Sequence, residues 1–149
     1  SIGTNDLVQY ALAVDRSSRS LAQLASPLDP AILRMIRGVI IAGKNRGIPV
    51  SVCGAMASDP LAATLLVGLG LRELSMEAAA IPEIKEAISR IRVSEAEAIA
   101  ESALECESAE MVDDVLTRAL AERYADLLAG VGEPILITRS TSPGLTSPW

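Results

Sequence analysis

Apolar and polar positions along this chain switch three times between a strand-like period and a helical one. Ser1 to Thr4 reads as a strand end that delivers Asn5 and Asp6 side by side onto a loop, and Leu7 to Val14 follows as an apolar helical stretch. Asp29 and Pro30 form a helix cap with proline at the first helical position. Ile32, Met35, Ile36, Val39 and Ile40 then recur at helical spacing up to Lys44 and Asn45, with Gly47 as the stop. Ile48 to Cys53 reads as a short buried strand. Asp59 and Pro60 repeat the cap, Leu61, Leu65 and Leu66 carry a helix ending at Gly68 and Gly70, and Leu71 to Met76 is the next strand. Ile81 and Pro82 open a helix through Ile84, Ile88 and Ile91. Strand followed by helix, repeated, predicts an α/β fold with a parallel sheet and right-handed crossovers.

Beyond Val93 the strand pattern stops. Ser94 with Glu97 three residues later predicts a capping box, the alanine-rich stretch to Leu104 a helix, and Ala109 to Leu128 a second helix. This helical appendage is expected to pack its apolar face on the sheet unit or on a second subunit. From Ala129 the composition turns to glycine, proline, serine and threonine. Only Pro134 to Thr138 has strand character there, and Ser140 to Trp149 reads as a mobile tail. The expected division is therefore 1–93, 94–128 and 129–149.

Composition narrows the possibilities. With 149 residues, half of them hydrophobic, the chain can bury a core, and that core must be aliphatic because the aromatic residues are only Tyr10, Tyr124 and Trp149. A net charge of -6, with 13 basic residues scattered among 19 acidic ones, excludes a nucleic-acid surface. Cys53 and Cys106 give neither a disulfide framework nor zinc-ligand spacing, so a cytoplasmic location is expected. The apolar runs Val39 to Ala42 and Leu65 to Leu71 are broken well short of a membrane span, and no signal peptide opens the sequence. Histidine is absent, which removes the usual general base and the commonest phosphorylated side chain of bacterial relays. Any such phosphoryl acceptor is expected elsewhere.

Two blocks carry candidate chemistry. Asn5, Asp6 and the later Arg16 are an amide donor, a carboxylate and a guanidinium, the types that hold a phosphate and its divalent metal. Cys53, between an alternating run and Gly54, stands where a group sits at the mouth of a parallel sheet or barrel. Plainer readings compete with each. Asn5 and Asp6 could cap the helix that follows, Cys53 and Cys106 could be inert thiols, Arg16 could be a solvated loop charge, and Asp59 caps its helix. Gly68 and Gly70 read as turn residues, because the lysine and hydroxyl of a nucleotide loop are missing.

Four ordered blocks go further: SIGTNDL at Ser1 to Leu7, AVDR at Ala13 to Arg16, the CG-M-A-D pattern of Cys53 to Asp59, and GLGLRELSM at Gly68 to Met76. Over roughly residues 1 to 128 the chain resembles the C-terminal part of the phosphoenolpyruvate-binding domain of Enzyme I, the phosphoenolpyruvate-protein phosphotransferase family. Pyruvate phosphate dikinase and phosphoenolpyruvate synthase share the TND-type loop, but AVDR and the SM ending are more similar to Enzyme I or its nitrogen-system paralogue. The resemblance implies a TIM (β/α)₈ barrel of ~250 residues, of which this chain holds the last three βα units. It implies Asp6 as a magnesium ligand, Asn5 and Arg16 as phosphate-binding groups, and Cys53 as the thiol that protonates the enolate to pyruvate. Phosphoenolpyruvate is then the substrate, and a histidine-containing phosphocarrier protein receives the phosphoryl group through a region outside this chain.

One departure stands out. Where the family usually has glutamate after the thiol's glycine, Ala55 is found, and Ser58 replaces a common glycine, which weakens the proton-donor role most. The alternative is a truncated or regulatory barrel module without chemistry of its own, or a piece of a dikinase or synthase. Unpaired strand edges favour self-association in every reading, so a homo-oligomer is expected.

Overall fold

The computed structural model describes residues 1–14 and 25–129. Its centre is a three-stranded parallel sheet of β1 (Ile2–Gly3), β2 (Ser51–Cys53) and β3 (Glu73–Ser75), in sequence order, in which Val52 pairs with Ile2 on one side and Leu74 on the other, and Cys53 with Gly3 and Ser75. Three consecutive strand-helix units run parallel, as the hydrophobic pattern predicts. The strands are shorter than that pattern, because Pro49 and Val50 on one side and Leu71 and Arg72 on the other approach the sheet without joining its ladder.

Local chemistry sets most boundaries. α2 (Pro30–Arg46) begins where the Asp29 carboxylate accepts the Ala31 N–H at 2.8 Å, and it stops at Gly47, whose φ of 65° a side chain would strain. α3 (Pro60–Gly68) starts in the same way, with Asp59 accepting the Ala62 N–H at 2.7 Å. α1 differs from expectation. It runs from Thr4 to Leu12, so Asn5 and Asp6 stand in its first turn and not on a preceding loop, and it closes at Ala13 in a left-handed conformation.

α4 (Ile81–Ser89), α5 (Val93–Leu104) and α6 (Ala109–Leu120) complete the helical layer, followed by the short α7 (Ala125–Ala129). Three corrections apply here. The capping carboxylate of α5 is Glu95, which accepts the Arg92 N–H at 3.0 Å, and not Glu97; Glu95 is held in place by Arg123 at 2.9 Å, a partner 28 residues away. The helix expected over Ala109 to Leu128 is interrupted at Ala121–Tyr124, where Tyr124 turns inward. Ala129 ends α7 and so belongs to a helix, not to a tail; the strand expected at Pro134 to Thr138 and the tail from Ser140 lie outside the described residues.

The core is aliphatic, built on Ile32, Leu33, Ile36, Val52, Leu65, Leu66, Leu71 and Leu116, with Tyr124 as its one fully buried aromatic among the described residues. The Tyr124 hydroxyl lies 2.9 Å from both Thr64 Oγ1 and the Ala87 carbonyl, and Thr64 Oγ1 lies 2.9 Å from the Pro60 carbonyl. Two hydroxyl protons are shared among these three contacts, no buried side-chain polar atom of the described residues lacks a partner, and burial pushes the phenol's pKa up. The appendage packs on the sheet unit through α3 and α5: Gly68 brings the two backbones together over Ala96 and Ala100. Arg34 adds a clasp by donating to the Leu104 and Cys106 carbonyls at the end of α5, at 2.8 and 3.3 Å.

Arg90 ties α4 to α7 by donating to both Asp126 carboxylate oxygens, at 2.6 and 2.9 Å, as well as to Glu86. This holds the Asp126 carboxyl well below its ordinary 3.8, at about 2. A depressed carboxylate stabilises the fold above its unfolded pKa and stops doing so as pH falls through the folded one. The Asp126 contribution is therefore complete above pH ~4 and fades toward pH ~2. Urea midpoints measured across that window should fall more steeply for the parent than for Asp126→Asn, and parallel curves would show that the pair does not contribute.

Candidate active site at the carboxyl edge of the sheet

Parallel strands present their carboxyl ends along one edge, so the residues after β1, β2 and β3 become neighbours although they are far apart in sequence. Side chains alternate across the sheet. Val52 is fully buried, and Ile2 and Leu74, in register with it, also face the helices. The opposite face carries Ser51, Cys53, Glu73 and Ser75, a polar set of small residues and one acid, and Ser1 Oγ lies on it 4.0 Å from the Cys53 sulfur. The thiol, half-buried, lies 3.6 Å from the Ile2 carbonyl, within reach to donate to it.

Two further hydrogen bonds bind the first block to the second. Thr4, a buried polar residue, donates its hydroxyl to the Cys53 carbonyl at 3.0 Å, and the Asn5 Oδ1 accepts the Ala55 N–H at 3.3 Å. Between these bonds lies Gly54, with φ of 107°. A methyl group there would lie 2.7 Å from Thr4 Oγ1 and 3.2 Å from Asn5 Oδ1, so the close approach of the two strand ends requires glycine. With its carbonyl oxygen committed to Ala55, Asn5 keeps its amide nitrogen, a pure donor, for another partner. Asp6 stands exposed at the third position of α1, where a negative charge is favoured by the helix dipole, and its Oδ2 lies 3.8 Å from the place a Cβ on Gly3 would occupy. Gly3 is the β1 partner of Cys53, so the carboxylate and the thiol stand at adjacent strand ends.

The capping reading of Asn5 and Asp6 changes accordingly. Gly3 is the residue before α1 and offers no side chain to cap it, while the Asn5 carbonyl oxygen bonds 50 residues away. Arg16, the third residue of the phosphate-binding set, lies outside the described residues. Cys106 is buried against α5, its thiol donating to the Ser102 carbonyl at 3.4 Å, and has no part in this edge. Thr4 and Gly54 are not among the expected site residues, although Thr4 stands in the TND-type loop and Gly54 in the CG-M-A-D block, directly after a strand. No helix of the described residues is long and apolar enough to cross a membrane.

The family model for the PEP-utilising enzyme, PEP-binding domain, matches residues 1–93, which include every element of this edge. The chain is 49% identical over 112 residues to the multiphosphoryl transfer protein of Xanthomonas campestris pv. campestris, covering 75% of this chain and 13% of that protein. It is 41% identical over 124 residues to the phosphoenolpyruvate-protein phosphotransferase of Mycoplasma genitalium, covering 83% of this chain and 21% of that one. It is 40% identical over 122 residues to the phosphotransferase of the same name from Haemophilus influenzae, again 21% of its length. This chain thus spans between 13% and 21% of the length of these relatives. On the family match and on the conjunction of blocks at one sheet edge, the chain belongs to the PEP-utilising enzymes, as part of their PEP-binding domain.

Proposed function

We propose that these residues form one sector of a phosphoenolpyruvate site in an Enzyme I-type phosphotransferase, with the remaining strands of a TIM barrel supplied by a longer polypeptide. The observation that carries this reading is the double stitch of Thr4 to Cys53 and Asn5 to Ala55, which holds a carboxylate, an amide donor and a thiol at one strand edge.

Each group has a task in the cleavage of an enol phosphate. The Asn5 amide nitrogen donates to a phosphate oxygen, and Arg16, by its resemblance, pairs with two of them. Loss of the phosphoryl group leaves an enolate, and Cys53 gives its S–H proton to the methylene carbon, so that a C–H bond forms, pyruvate results and a thiolate remains. Among the described residues no group of three potential ligands could enclose a metal ion. Magnesium commonly takes only one or two protein carboxylates alongside substrate phosphate and water, so Asp6 fits as a single ligand from this chain. When bound, the ion neutralises charge on the phosphate and the departing enolate. The phosphoryl group passes to a histidine outside these residues and on to a phosphocarrier protein, in the cytoplasm.

The test is a segment swap. Placing this chain's matching residues into the Haemophilus influenzae phosphotransferase should give a folded protein that is phosphorylated by phosphoenolpyruvate and magnesium. Cys53→Ala in that chimaera is expected to slow pyruvate formation ~10²-fold, the loss typical of removing a general acid. A folded chimaera that takes no phosphoryl group, or a Cys53→Ala form with undiminished pyruvate formation, would contradict the reading.

A further inference from the structure

We infer that the stretch Pro134 to Thr138 of this chain seats in a cleft at the amino edge of the sheet, where Ile135 and Ile137 cover apolar side chains that the fold leaves open. This edge lies opposite the candidate active site, and the seat does not depend on the phosphotransferase reading.

The cleft encloses about 720 Å³ between Ile40 and Ile41 of α2, Glu97 and Ala98 of α5, and the residues that lead into β2 and β3. Its walls are fixed in advance. The Ile48 N–H donates to the Gly43 carbonyl at 2.9 Å, and a Cβ on Gly43 would lie 2.8 Å from the Ile48 carbonyl oxygen, so the approach to β2 lies tight against α2. On the other side, Gly68 holds α3 equally close to α5. Even so, Ile48 is 61% exposed and Ile41 47% exposed. Apolar side chains held in water on rigid walls favour a further apolar segment, because covering them orders little of the cleft itself.

The continuation of the chain is placed to reach them. Asp126 of α7 accepts from Arg90 at the end of α4, and Arg123, just before α7, donates to Glu95 in the first turn of α5. Glu97 and Ala98 of the cleft wall lie within one turn of Glu95. From Ala129, the end of α7, six residues lead to Ile135, with Gly130 and Gly132 among them. Six extended residues span ~20 Å, whereas the path halfway around a helix of ~10 Å diameter is ~15 Å. The chain can therefore round α5 and bring Ile135 to the cleft. In an extended segment alternate side chains share a face, so Ile135 and Ile137 enter together. A tether of this length gives an effective concentration on the order of millimolar, above that of a second copy in dilute solution.

A single indole on the segment tests the seat. Trp149 is the only tryptophan, so Ile137→Trp with Trp149→Phe moves the fluorophore of the 149-residue chain to the segment. A segment docked for most of its time should make acrylamide quenching about threefold weaker in buffer than in urea. Ile41→Asp on the α2 wall, or Ala98→Glu on the α5 wall, is then expected to return quenching to its urea value. Both positions are exposed, circular dichroism checks that the fold is retained, and the use of two walls keeps the test decisive where one variant misfolds. Equal quenching with and without urea would overturn the inference. So would protection that neither wall variant reduces, and so would protection lost on about a hundredfold dilution, which would make the occupant a second copy.

Discussion

Gly68→Ala is expected to remove the cooperative folding transition of this chain. A methyl group at that position would overlap the Ala96 carbonyl oxygen, lie 2.6 Å from its carbon and 2.9 Å from the Ala100 Cβ. The first two of these are backbone atoms of α5, which cannot swing aside as a flexible side chain can. Relief requires moving α5 as a body, and Arg34 and the bidentate pair of Arg37 with Glu101 hold it against α2. A forced insertion of this kind costs ~3 kcal/mol, more where the obstructing atoms are backbone, which removes most of the stability of a domain near the lower end of the usual ~5–15 kcal/mol. Urea denaturation followed by circular dichroism should show a broad or absent transition. Gly38→Ala is the control, since nothing lies within 4 Å of the added methyl and its helical position favours alanine. If the two variants unfold alike, the close contact of α3 with α5 is not what holds the appendage.

Asp6→Asn is expected to lower phosphoryl transfer by ~10³-fold or more in the chimaera, with the magnesium dependence lost rather than shifted. The substitution keeps size and the helical first turn of α1, and circular dichroism of the variant checks that its fold is retained. What it removes is the one negative oxygen that β1 delivers to the strand edge beside Gly3. An amide there is a poor magnesium ligand and leaves the developing enolate charge without its counter-ion. Initial rates over a magnesium titration decide the matter. Undiminished magnesium-dependent autophosphorylation would remove Asp6 from metal binding and return it to the role of helix-dipole partner.

How much of this was legible beforehand differs from residue to residue. Asp29 with Pro30 and Asp59 with Pro60 announce their helices because a cap is made within four residues, and the hydrogen bonds found are those the spacing implies. Parallel order was equally readable, since the helical segments between strands leave no short hairpin. Where a boundary depends on a distant partner, the pattern misled. Ser94 and Glu97 have the spacing of a capping box, yet the cap falls to Glu95 because Arg123 stabilises it there. The helix after Ala109 has no internal breaker, and its interruption follows from the need of Tyr124 to reach Thr64 and Ala87. At the site, residue types raise the expectation of phosphate, carboxylate and thiol chemistry, and the structure brings Asn5, Asp6 and Cys53 to one sheet edge. What they could not show was that Asn5 turns its carbonyl oxygen toward Ala55, that Gly54 makes this approach possible, or that Ser75 stands beside Cys53. Those facts belong to strand register, which no single segment encodes.

The seam between β1 and β2 also separates geometry from chain length. Because Thr4 is fastened to Cys53 and Asn5 to Ala55, the two strand ends hold each other directly across 49 and 50 residues of chain, and a change in length confined to a surface turn of that stretch costs entropy that grows only with the logarithm of loop size. Thr4, Asn5 and Gly54, which meet at this seam, therefore tolerate little substitution.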